Sequence, residues 1–366
     1  MPGFYFTLKF YNKFLSNVHC KTALNIFFIF LTAAVFTACQ EDIVIIDHSG
    51  YDSARYQWES DTIAGQFFYD GVFIDTNKMF FLTISALYEY NGTNYIRHYM
   101  PYPFGGYSIS GIDENNIYIG GSDVTGYTQS IAALKKWNGA GFEHFTLADT
   151  SDKSPYFHSV YSRAHNEHWL SSTKGKVYKF DGSNFTGFSF DTSYWYIDPF
   201  MEDEYGNVCF SSKIYEGSPM VTNTKAELHK YNGTNWQTVY SEEFAGGYGG
   251  TFFTGNIGRQ IYCTLDDELR FFNGTAFTIF AKGEHFFFID AGFAGSSPSN
   301  IFISGFSLID HNDYLYNYNG VKWSKEFIEN EDFQNFTVFY ASEKLAYALS
   351  YDYTKDRSIV LKGVRK

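Results

Sequence analysis

The residues best equipped for chemistry are few. His165-Asn166-Glu167-His168 brings two imidazoles and a carboxylate into four positions. Zinc pairs of this kind need both histidines on one face of a helix. Here the segment falls in a strand–turn–strand stretch with His168 in the strand, so a packing role is expected. Asp113-Glu114, Asp203-Glu204 and Asp266-Asp267 offer adjacent carboxylates, the groups used in glycoside hydrolysis. All three pairs sit at turns set by a repeat described below, where solvated acids are the ordinary occupants. No glycine-rich phosphate loop leads from a strand into a helix, and there is no Gly-x-Ser-x-Gly elbow. No catalytic residue, metal or cofactor is assigned.

Two aromatic runs suggest binding instead. Ser193-Tyr194-Trp195-Tyr196 and Tyr99 to Phe104 (YMPYPF) both lie in connections between repeats. Neighbouring side chains on an extended chain point opposite ways, so three aromatics in a row cannot share one core. Tyr194, Trp195, Tyr196, Tyr102 and Phe104 are therefore the candidate ligand-facing residues. Exposed rings could stack on sugars or anchor a partner; packing between repeats is the competing role.

The elements that must position them are organised around Leu134 to Phe142, LKKWNGAGF, which recurs six times. The turn residue is Asn91, Asn138, Asp181, Asn232, Asn273 or Asn319, always followed by Gly. Such pairs favour a two-residue type I′ hairpin. Four positions earlier stands Leu87, Leu134, Val177, Leu228, Leu269 or Leu315. An aromatic precedes the turn residue directly, and another follows four positions later: Tyr90/Tyr95, Trp137/Phe142, Phe180/Phe185, Tyr231/Trp236, Phe272/Phe277 and Tyr318/Trp323. These columns read as core mortar between repeats. Each copy follows a short apolar strand such as Ile117-Tyr118-Ile119-Gly120, and a further β-prone run precedes that. Four strands in a period of about 40–50 residues is the signature of a propeller blade. The expected fold is all-β, a seven-bladed β-propeller. Its 21% aromatic content suits pleated, two-sided burial.

A propeller must seal its last blade to its first or leave raw sheet edges. The seventh repeat ends at Lys366 without a fourth strand. From each fourth-strand aromatic to the next second-strand motif there are 22 to 26 residues, and Trp58 precedes Phe80 by 22. Residues 55–59 thus fit the vacant slot, pairing with 358–363. Alternate repeats carry insertions between their second and third strands, at 121–130, 212–226 and 305–313. Those insertions and the connections between repeats share one rim, the expected binding face.

The amino terminus differs. Lys9, Lys13 and Lys21 precede an apolar run at 23–38 too short for a confident membrane span, as in a secretory signal. Phe36-Thr37-Ala38-Cys39 resembles a bacterial lipobox, which implies lipidation of Cys39. Gln40-Glu41-Asp42 resembles the surface-export signal of Bacteroidetes lipoproteins. Asp52-Ser53-Ala54 and Asp61-Thr62-Ile63 resemble that group's O-glycosylation motif. The expected domains are a signal peptide at 1–38, a linker at 39–54 and a propeller at 55–366. Removing 1–38 leaves 24 basic and 40 acidic side chains, net −16, which argues against nucleic acid and against electrostatic docking on anionic lipid. Cys209 and Cys263 fall one column apart in successive second strands. Side-chain alternation puts them on opposite faces of their repeats, so no disulfide is expected.

Glu202-Asp203-Glu204-Tyr205-Gly206-Asn207-Val208-Cys209-Phe210-Ser211 resembles the two-component-regulator propeller repeat. Leu134-Lys135-Lys136-Trp137-Asn138-Gly139, with Ile117-Tyr118-Ile119-Gly120-Gly121 before it, is similar to kelch and galactose-oxidase-type propellers, although no copper-binding Tyr/His set accompanies it. The resemblance implies fold more than activity. Three functions follow as expectations: a lipid-anchored envelope scaffold for a protein partner, a glycan-binding surface lipoprotein of the outer membrane, or a carbohydrate-active enzyme.

Overall fold

The structure, a computed structural model, describes residues 55–126, 129–148, 155–190, 194–216, 222–243, 252–283, 285–309, 311–326 and 334–366. Among these residues all regular structure is β: 28 strands form five four-stranded sheets and one eight-stranded sheet. The eight-stranded sheet is two four-stranded meanders joined by a single parallel pair, Ile257↔Gly295. The four-stranded units are I (70–99), II (104–146), III (157–189), IV (194–243), V (253–282), VI (286–326) and VII (334–365 with 56–64). Their first strands touch in chain order, and Gln334–Ala341 of unit VII returns to Asp70–Asp75 of unit I.

Hydrogen bonds stitch successive first strands together. Asp70 Oδ2 of unit I accepts from Ile109 N (3.0 Å). Ser108 Oγ of unit II accepts from Val160 N (3.2 Å), and Ser110 Oγ from Ser162 N (2.9 Å). Burial pushes Asp70 up to about 6 against those backbone donors.

The repeated columns explain the packing. Leu87, Leu134, Val177, Leu228, Leu269 and Leu315 have no exposed surface at all. The paired aromatics face each other across the turn as the closing residues of their hairpins, with ring centroids 4.7–5.2 Å apart. Several also meet the preceding unit, as His98 meets Trp137 (4.2 Å), Phe145 meets Phe180 (4.8 Å) and Tyr240 meets Phe277 (4.9 Å).

The turn itself departs from the type I′ expectation. Tyr90 pairs with Tyr95, so the loop holds four residues, and the Asn or Asp is not among the residues with positive φ; the following Gly is, at 86–98°. Asn91 Oδ1 instead accepts from Thr93 N (3.2 Å) and Asn94 N (2.9 Å), and the other five copies repeat this pattern. Asn and Asp are selected here for a side-chain acceptor, and Gly alone for its backbone.

The amino-terminal strand Tyr56–Ala64 pairs antiparallel with Arg357–Arg365, with Trp58 opposite Gly363. The observed strand runs five residues beyond the expected slot. Glu326 of unit VI, fully buried, anchors it. One carboxylate oxygen accepts from Arg55 N (3.1 Å) and Ser324 Oγ (3.0 Å); the other accepts from Tyr56 N (3.2 Å) and Trp58 Nε1 (3.1 Å).

The cysteines correct one premise. Cys209 and Cys263 do lie on opposite faces of units IV and V, but those faces meet, so both thiols join one core layer with Leu228 and Phe277. Both are free and buried, and burial pushes Cys209 up to about 12. The insertions also proved regular: two of them prolong hairpins, with strands Asn116–Gly126 and Gln129–Trp137 in unit II and Val208–Glu216 and Thr222–Tyr231 in unit IV.

Candidate binding rim

In an antiparallel four-stranded unit, the turn after the second strand and the connection to the next unit lie at the same end. Among the described residues, 15 large hydrophobic side chains are exposed. Six lie in turns or connections at this end: Phe67, Ile84, Tyr102, Leu308, Ile309 and Tyr353. Only Tyr205 and Val321 lie in turns at the other end, and the remaining seven are within strands. Apolar exposure is thus concentrated on one rim, the pattern expected of an interaction surface.

Part of this surface is a continuous aromatic run. Tyr353 meets Tyr351 (4.8 Å), Tyr351 meets Phe67 edge-on (4.7 Å), and Phe67 meets Tyr69 (5.5 Å). The run crosses from unit VII to unit I, and the Tyr69 hydroxyl donates to Gly106 O of unit II (3.3 Å).

The sequence candidates separate here. Tyr102 is 89% exposed at the apex of its connection, whereas Phe104 is 5% exposed and belongs to the core between units I and II. The cause is local. Met100 N donates to Ser85 O (3.0 Å), Gly106 N to Ile84 O (3.0 Å) and Val124 N to Pro103 O (3.1 Å). These bonds tuck the segment beneath the turn of unit I and drive Phe104 inward, so Phe104 is no surface residue. Tyr194, Trp195 and Tyr196 lie in the strand Tyr194–Glu202, which places them on the first strand of unit IV; their side chains fall outside the described residues. Cys39 and the segments read as signal and linker also fall outside them.

Beneath Phe104 lies a polar group that sequence reasoning missed. His144 Nε2 meets Asp123 Oδ2 (2.8 Å), Lys135 Nζ meets His144 Nδ1 (3.1 Å), and the ammonium lies 5.0 Å from the Phe104 ring centroid. Burial pushes Lys135 below its usual range while Asp123 resists the shift. These residues come from three adjacent strands, so only the strand register reveals them. With Lys135 and Asp123 almost fully buried, the group acts as a support for the Phe104 segment.

The residues considered for chemistry have structural partners. His168 is fully buried, with its ring nitrogens against Ser162 Oγ (3.1 Å) and His165 O (3.2 Å), and burial pushes it down to about 4. His165 is exposed, 3.9 Å from Asp113. Among the described residues no group of three or more His, Cys, Asp or Glu could hold a metal ion. Asp113 Oδ1 accepts from Asn115 N (2.9 Å). Burial alone would raise Asp203, but hydrogen bonds from Lys230 and Asn207 hold it below the usual range. Both are turn acids.

No family model matches the chain, and no curated protein does. Solved structures do. YCF48 bound to D1 peptide superposes with a TM-score of 0.62 at 14% identity, covering 87% of this chain and 98% of that one. The β-propeller domain of Cps50 (Swd1) from Myceliophteria thermophila gives 0.55 at 9% identity over 84% and 99%. The extracellular domain of a B. thetaiotaomicron protein described as a hybrid two component system gives 0.53 at 13% identity, over 83% of this chain and 40% of that one. At such identities the likeness establishes the fold alone: an all-β protein of four-stranded sheets with the architecture of β-propellers.

Proposed function

We propose that this chain is a seven-bladed propeller, secreted and lipid-anchored through Cys39 in the outer membrane, that binds a protein partner of the cell envelope on its apolar rim. The concentration of exposed apolar side chains on that rim carries the reading. Tyr102 is its most exposed ring, and the run from Tyr353 to Tyr69 gives it a rigid aromatic floor of the type that supplies binding energy at protein interfaces. The ring of contacts among the seven first strands supports the blade count. YCF48, whose structure superposes on this chain, was solved with a peptide bound. The acidic Gln40-Glu41-Asp42 favours display at the cell surface.

Capture from envelope extract by the mature chain should recover one stoichiometric partner. A Phe67→Ala/Tyr102→Ala/Tyr353→Ala variant that folds normally should lose it. Recovery of the same partner at equal yield by the variant defeats the reading. The tyrosine-rich composition of the rim favours glycan capture as a second reading, because tyrosine faces suit pyranose stacking; binding on a glycan array, abolished in the same variant, would select it.

A further inference from the structure

At the opposite rim the turns between first and second strands meet the Asn-Gly loops. In three units the residue before the second strand leans on the loop glycine. A Cβ placed on Gly92 would lie 3.1 Å from Asn77 Oδ1, one on Gly139 would overlap Asn115 Oδ1, and one on Gly320 would lie 3.0 Å from Ser299 Cβ. In unit V that position is Arg259, and a Cβ on Gly274 would meet nothing within 4 Å. The space left open is a cleft of about 300 Å³ between units IV and V, at the lower end of the range for small-molecule sites.

Its charges are unevenly matched. Lys230 is neutralised by Asp203 at 2.6 Å. Glu204 lies beside the exposed Tyr205 hydroxyl and pushes it above its usual range. Other seams of this rim are closed by ion pairs, Lys78 with Glu114 (3.5 Å) and Arg163 with Glu202 (3.0 Å). Arg259 lines the cleft and makes no ion pair or hydrogen bond with another described residue. Behind it the wall is apolar, with Ile261 and Phe272.

We propose that this cleft binds a small carboxylate-bearing ligand, with the carboxylate taken by the Arg259 guanidinium and a ring-sized body laid against Phe272. A guanidinium presents two parallel donors matched to a carboxylate, and that pairing outweighs a neutral hydrogen bond. A sugar acid and the carboxy-terminal residue of a peptide share this chemistry.

The test is calorimetric titration of the mature chain with glucuronate and with N-acetylphenylalanine, each beside its neutral counterpart, glucose and N-acetylphenylalanine amide. At least one acid should bind about tenfold more tightly than its counterpart. Preference for glucuronate identifies a sugar acid and preference for the amino acid a peptide terminus. Arg259→Gln should abolish the preference and Arg259→Lys should retain part of it, both with unchanged melting, since the side chain is exposed. Acids that bind no better than their neutral counterparts, or a preference surviving Arg259→Gln, would overturn the proposal.

Discussion

Replacing Glu326 by Ala should release the amino-terminal strand. The carboxylate accepts from Arg55 N, Tyr56 N and Trp58 Nε1, three N–H donors of the incoming strand, and from Ser324 Oγ. The hydroxyl can turn to Asn317 O, 3.1 Å away, but the three N–H groups have no such choice. Leaving a buried donor unpaired costs about 1–3 kcal/mol. Removing a buried charge recovers part of that total, so the expected loss is about 3 kcal/mol, a large share of an ordinary domain's roughly 5–15 kcal/mol. Glu326→Gln keeps the shape but offers one oxygen, so two donors face an NH₂ group; it should fall between Ala and wild type. Urea unfolding followed by tryptophan fluorescence reads the midpoint, and unchanged m-values would attribute the shift to stability. Hydrogen exchange should show Tyr56–Ala64 and Arg357–Arg365 opening first. A Glu326→Ala protein within about 0.5 kcal/mol of wild type would refute the reasoning, since surface substitutions give changes of that size.

Three other outcomes are expected. Leu134→Ala, at a fully buried member of the aliphatic column, should cost about 2–5 kcal/mol in the same assay. Gly363→Ala puts a methyl 2.8 Å from the Trp58 ring and should cost about 1–3 kcal/mol, a penalty that Trp58→Leu in the same chain should relieve in a double-mutant cycle. Acid should destabilise the fold. Burial holds His168 and His229 neutral, at about 4 against an ordinary 6.5, so their contribution is complete above 6.5 and lost as pH falls toward 4. Asp70, raised to about 6 by burial, works the other way and gains stability as pH falls through 6. Two histidines against one aspartate leave a net loss of about 2 kcal/mol between pH 7 and 5; comparing urea midpoints at the two pH values checks it, and His229→Gln should flatten the change.

The fold was readable because its signals repeat. Leu87 and its five counterparts, the aromatic pairs and the Asn-Gly turns each recur in phase, and that phase located the strand around Trp58. The turn chemistry was misread because the residue pair that suits a two-residue hairpin also suits a four-residue loop capped by Asn Oδ1; sequence does not distinguish which acceptor the backbone will use. The candidate rim was only half visible. Tyr102 and Phe104 are two residues apart in one aromatic run, and their opposite fates depend on backbone bonds to Ile84 and Ser85, distant in kind from any local pattern. Asp123, Lys135 and His144 look like ordinary surface residues until the strands are in register. The six exposed apolar side chains in the rim's turns and connections come from five separate segments and gather only when the units stand side by side.

The partner should occupy the rim carrying Phe67, Tyr102 and Tyr353. Hydrogen exchange on the complex of the mature chain with its captured envelope partner tests it directly. Protection confined to the turns at 83–85 and 353–356 and the connections at 65–69 and 100–103, with the loops around Asn232 and Asn319 unchanged, is the predicted result. Protection centred on those Asn-Gly loops, with the apolar rim exchanging as in the free protein, would contradict it.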